Sequence, residues 1–277
     1  MSGNRNKQWR ATARTWKIIA VFTSILAILL FVMLVRTAAT AHPAMEEDKE
    51  PSPSQAAALN ALPAQPVQPA AQDIGSTLSG KRVLIDPGHG DTDVGTIGPL
   101  TGRYESEVNL EISLKLRDAL TQKGVDVVMT RESDEPLAAE NEQDVTVRKE
   151  ADMVKREEII ENTNADFLLS IHQNRFDDAS VAGPQVFYLK TQDGQEYWAD
   201  FARAIQGALN ERLPVENPRG ISPGDWRLLK KGGQPGCIIE CGFFSNPAEE
   251  TLLQTEEYQN EIVAAIVAGL EGYVNGG

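Results

Sequence analysis

Leu84-Ile85-Asp86-Pro87-Gly88-His89-Gly90 is the stretch on which the reading of the fold turns. An apolar strand over residues 82–86 breaks at Pro87-Gly88, where a ring without an N–H and a residue without Cβ favour a sharp turn. An imidazole follows at the strand's C-terminal end. In open α/β sheets that edge is where ligands bind. Leu168-Leu169-Ser170-Ile171-His172-Gln173-Asn174 repeats the arrangement, a second apolar strand ending at a histidine. The chain has three histidines, and the third, His42, lies in a Pro- and Ala-rich segment.

Outward from these two stretches, short apolar runs alternate with longer amphipathic ones. Strands are expected over 82–86, 125–131, 166–172, 185–190 and 237–243. Val108, Ile112, Leu116 and Ala119 recur at helical spacing, and 153–163, 197–213 and 258–274 also read as helices. Alternation of this kind predicts an α/β domain with helices on both faces of a sheet. Residues 132–150 are acidic and polar, and are expected to form a surface loop or lid that either gates a groove or recruits a regulatory protein of unknown identity.

Imidazole is the commonest zinc ligand, and a catalytic zinc takes three protein ligands plus water. His89 and His172 therefore call for a carboxylate. Glu105 precedes the amphipathic helix that begins near Val108 and can project from its N-terminal end over the sheet edge; Glu107 and Glu111 compete, and spacing alone does not separate them. Glu240 stands inside the apolar run Cys237-Ile238-Ile239-Glu240-Cys241-Gly242-Phe243. A carboxylate is costly to bury there unless it is paired or functional, so Glu240 is a candidate general base. Cys237 and Cys241 sit about 13 Å apart along one strand, too far for a disulfide, and are expected as buried thiols.

Residues 18–35 are uncharged and apolar, and a helix of that length spans roughly 27 Å. Five basic residues and no acidic ones precede it. The expectation is a membrane anchor with the remaining chain exported, the alternative being a signal peptide cleaved after Ala41. The organisation expected is a tail and anchor over 1–41, a Pro/Ala/Gln-rich linker over 42–79 and a catalytic domain over 80–277. Beyond residue 36 the chain carries 20 basic and 40 acidic residues. That excess of negative charge argues against a nucleic-acid partner.

Residues 82–274 resemble the zinc-dependent N-acetylmuramoyl-L-alanine amidases of the type-3 amidase family. Four motifs agree in order: Ile85–Gly90, Glu105–Leu110, Ala165–Asn174 and Ile239–Asn246. The resemblance implies a three-layer fold with a mostly parallel or mixed twisted sheet. It implies zinc held by His89, Glu105 and His172, with Glu240 as catalytic glutamate. The implied reaction is cleavage of the amide between muramic acid and L-alanine in peptidoglycan. The alternatives are a zinc peptidase acting within the stem peptide and a non-catalytic wall-binding protein. A finer likeness is to the germination-specific amidases of the spore cortex, the CwlD type, which act with a deacetylase to make muramic δ-lactam. Asp91 departs from the family, many members having glycine there, and no wall-binding repeat accompanies the domain.

Overall fold

The computed structural model describes residues 75–137 and 144–276. Seven strands form one mixed sheet: β1 (Arg82–Pro87), β2 (Asp126–Met129), β3 (Phe167–Asn174), β4 (Gln185–Lys190), β5 (Glu196–Tyr197), β6 (Ser222–Gly224) and β7 (Gly236–Phe243). Their order is β2-β1-β3-β7-β4-β5, with β6 beside β4. β2, β1, β3 and β7 run parallel, and β4 runs antiparallel to β7 and β5. Among the described residues five α-helices accompany them: α1 (Glu105–Gln122), α2 (Val145–Thr163), α3 (Ala199–Arg212), α4 (Pro247–Leu253) and α5 (Glu256–Gly276).

Strand periodicity sorts the side chains into two cores. Val83 and Ile85, Leu169 and Ile171, and Cys237 and Ile239 face one side. There they pack with Ile112 and Leu116 of α1, Phe201 and Ile205 of α3, and Ile262 and Ile266 of α5. Leu84, Leu168 and Ile238 face the other side, against Ile160 of α2 and a 3-10 turn carrying Leu228 and Leu229. The three-layer architecture expected from the sequence is therefore present. Cys237 and Cys241 are free and buried, as expected, and burial pushes both thiols up from their ordinary range.

Several boundaries differ from the sequence expectation. β2 stops at Met129, because Thr130 and Arg131 turn inward to hydrogen-bond the end of β1. α2 begins at Val145, capped by Asp144, whose carboxylate accepts from the Thr146 amide at 2.8 Å. The polar stretch expected to be a loop thus contributes helix from Val145 onward, and residues 138–143 lie outside the described residues.

The expected membrane anchor and anchored location need correction. Among the described residues no helix is long and apolar enough to cross a membrane. The longest, α5, carries Glu256, Glu257, Glu261 and Glu271 and lays its apolar face on the sheet. The described residues therefore supply no membrane-spanning helix, and membrane attachment is not carried forward as a partner. The 18–35 run, like the expected tail and most of the expected linker, lies outside the described residues.

Candidate metal centre and the polar face around it

The C-terminal ends of β1 and β3 lie side by side, with Asp86 opposite Ser170 and Pro87 opposite Ile171. His89 leaves β1 through Gly88, and His172 stands near the end of β3. Their rings meet edge to face with centroids 4.9 Å apart. Gly88 is required for this approach, since a Cβ there would lie 2.2 Å from the His172 ring. His89 itself takes φ 60°, and Asp91 φ 51°. A non-glycine residue in that region costs on the order of 1 kcal/mol, so the turn must be held from outside.

Two buried arginines hold it. Arg131 donates to the carbonyls of Pro87 at 2.9 Å, Gly88 at 3.0 Å and Ser106 at 2.8 Å. Arg156 of α2 donates to the Pro87 carbonyl at 2.8 Å and to the His89 carbonyl. It also pairs with buried Asp86 at 2.6 Å. Asp86 accepts further bonds from Thr130 and Ser170, each at 2.7 Å. Burial works against the Asp86 charge, but Arg156 and the two hydroxyls outweigh it and hold the carboxyl down to about 2.

Glu105 opens α1, where the helix N-terminus favours a negative charge. Its Oε1 lies 3.1 Å from His89 Nε2 and 3.2 Å from His172 Nδ1. Its Oε2 accepts from the Thr96 amide at 2.8 Å, and Oε1 also accepts from the Gln173 amide at 3.1 Å. Burial opposes its ionisation, yet the two imidazoles keep it well below the usual carboxylate range. The competitors are occupied elsewhere. Glu107 accepts from the Tyr104 amide and pairs with Arg103; Glu111 binds Arg103 at 2.6 Å and Gln259 at 3.0 Å.

One ligand atom from each of His89, Glu105 and His172 lies within 4.8 Å of the others. Two imidazoles and a carboxylate are a donor set suited to zinc, with a fourth position left for water or substrate. The surroundings fit the same assignment. His89 Nδ1 is 2.9 Å from Asp93 Oδ2, an arrangement that leaves Nε2 as the ligand atom and fixes the ring. Asp93 in turn binds Lys149 of α2 at 2.8 Å. Burial would depress the His89 imidazolium, but the bonds to Asp93 and Glu105 raise it to about 10. Asp93, through its bonds to His89 and Lys149, is held well below the usual carboxylate range. Asp91, where the sequence departs from the family pattern, is bound by Arg148.

Glu240 lies opposite His172 in the register of β3 and β7, on the same sheet face. The register slips immediately beyond this pair, a bulge of the kind that re-aims side chains beside active sites. Its Oε2 is buried and has no hydrogen-bond partner among the described residues. Burial, aided by the charge of Glu105 and countered by the two histidines, pushes Glu240 up to about 7. The four residues singled out in the sequence therefore converge on one sheet edge. Asp86, Asp93, Arg131 and Arg156 were not singled out. The one legible hint was Asp86, a carboxylate ending an apolar strand.

A family model described as N-acetylmuramoyl-L-alanine amidase matches residues 83–272. The germination-specific N-acetylmuramoyl-L-alanine amidase of Bacillus subtilis (strain 168) is 36% identical over 197 residues, covering 71% of this chain and 81% of that relative. Among solved structures, the CwlD amidase from Clostridioides difficile, in complex with the GerS lipoprotein, superposes with a TM-score of 0.67. It shares 36% identity and covers 71% of this chain and all of that one, 100%. An N-acetylmuramoyl-L-alanine amidase from Clostridium difficile 630 gives a TM-score of 0.60 at 31% identity, covering 70% of this chain and 97% of that one.

Proposed function

For a chain that belongs to the N-acetylmuramoyl-L-alanine amidase family, we propose that the domain over residues 80–277 cuts the bond between the lactyl group of N-acetylmuramic acid and the L-alanine of the peptidoglycan stem. We propose further that it does so in the spore cortex, as a step toward muramic δ-lactam. The cortex reading is supported by likeness to the germination-specific relative. The reading of the reaction is carried by one observation, the buried Glu240 Oε2, without a hydrogen-bond partner among the described residues, beside the His89–Glu105–His172 cluster.

In this mechanism His89, Glu105 and His172 would hold zinc, and Asp93 fixes the His89 ring. When bound, zinc polarises a carbonyl and lowers the proton affinity of water. Glu240 takes the proton of the attacking water and delivers it to the departing alanine nitrogen. Burial raises the Glu240 carboxyl above its ordinary range, the direction that a proton carrier at neutral pH needs. The cleaved C–N bond leaves a carboxyl on the lactyl group and a free amine on the peptide.

Mass spectrometry of purified wall digested by the protein tests the assignment. Intact stem peptides beginning with free L-alanine, together with peptide-free glycan, are the expected products. Shortened stems still attached to glycan would show a peptidase instead. The cortex role is tested by deleting the gene in a spore-former that carries it, which should leave a cortex without δ-lactam; a normal lactam content would contradict that role.

A further inference from the structure

Glu240 has neighbours on two strands, and they differ in kind. Toward β3 is His172 of the metal cluster. Toward β4 is Gln185, its partner in the antiparallel register and hence on the same sheet face. Directly opposed residues of this kind have Cβ atoms about 5 Å apart. Gln185 is half-buried, and its Nε2 donates to Ser222 Oγ of β6 at 2.8 Å. That bond fixes the plane of the carboxamide. Its Oε1 has no partner among the described residues. Two positions along β4, on the same face, Phe187 meets Trp226 edge to face at 5.3 Å.

The chemistry of the proposed reaction orients the substrate across this row. The scissile carbonyl belongs on the metal side and the departing nitrogen at Glu240. On the side of Glu240 away from the metal lie β4 and β6, which the departing chain would meet. We propose that Gln185, held by Ser222, is a specificity-determining residue that hydrogen-bonds a backbone N–H of the departing stem peptide. This rests on the amidase reading above and adds to it a direction, with peptide over β4 and β6 and glycan on the opposite side of the metal cluster.

Product inhibition of wall hydrolysis separates the two halves of the substrate. The probes are the tripeptide L-alanyl-γ-D-glutamyl-meso-diaminopimelate and the disaccharide N-acetylglucosaminyl-N-acetylmuramic acid. In Gln185→Ala the inhibition constant of the tripeptide should rise about three- to tenfold, the worth of one neutral hydrogen bond, with that of the disaccharide unchanged. Ser222→Ala should raise the tripeptide constant less, because the carboxamide stays but loses its brace. Equal weakening of both probes would mean that Gln185 only supports Glu240, and would overturn the proposal. So would unchanged tripeptide inhibition, or a wild-type enzyme that the tripeptide does not inhibit. If the wild type releases no free stem peptide from wall, the amidase reading itself fails.

Discussion

The two faces of the sheet are built on the same strands but to different ends. The face under α1, α3 and α5 is a continuous apolar core through Ile112, Leu116, Phe201, Ile205, Ile262 and Ile266. The face under α2 is apolar only at its base, around Leu84, Leu168 and Ile238. Toward the C-terminal edge it becomes polar, with Asp86, Ser170, His172 and Glu240 in adjacent registers. Alternation along β1, β3 and β7 therefore assigns stability to one set of positions and chemistry to the next. The polar face holds its charges because Arg156 of α2 pairs with Asp86 and bonds the carbonyls of the metal turn, and Arg131, just beyond β2, bonds those carbonyls as well.

If that division is right, each face fails in its own way. The largest effect belongs to Arg156→Leu, which strands the Asp86 charge in the interior. Breaking a buried pair from one side costs about 3–5 kcal/mol, read by urea unfolding, and zinc binding should fall with it. Adding Asp86→Leu should recover part of the stability and none of the metal affinity. Ile112→Ala on the apolar face should cost about 3 kcal/mol by the same assay. The folded fraction of that variant should bind zinc as the wild type does, and a changed affinity would show the faces to be coupled.

Acid titration separates the faces more gently. The Asp86 carboxyl stands at about 2 when folded against an ordinary 3.8. Depression of a folded-state value means stability that is present above pH 4 and lost as pH falls through 4 toward 2. The amount is roughly 2 kcal/mol. In Asp86→Asn this part of the acid slope should vanish, with lower stability at neutral pH. Asp93→Asn makes the smallest change, since it keeps the shape beside His89. Zinc affinity should drop about 10- to 100-fold with the melting temperature of the metal-free protein little altered. A large loss of stability instead would make Asp93 a fold element more than a metal support.

What the sequence made legible follows from the same contrast. Strands that end in Pro-Gly-His and Ile-His announce themselves, because period-two apolar runs and an imidazole are both local signals. β4 was expected over 185–190 and lies there. β5, β6 and α4 were not expected, since Glu-Tyr, Ser-Pro-Gly and a seven-residue helix carry no apolar period of their own. The choice of Glu105 over Glu107 and Glu111 came from family likeness, and its physical reason is visible only in space. Glu107 and Glu111 are taken by Arg103, which leaves Glu105 to the histidines. Arg156 was unreadable for a similar reason. In sequence it is one more charge on a helix rich in them, and its partner Asp86 lies 70 residues away.

In the proposed function the polar face holds zinc through one set of groups and moves protons through another. Zinc content and wall hydrolysis measured together on Glu240→Gln test it most directly. The variant should bind zinc at the wild-type stoichiometry and hydrolyse wall about a thousandfold more slowly. Hydrolysis within tenfold of the wild type, or loss of the metal, would contradict it.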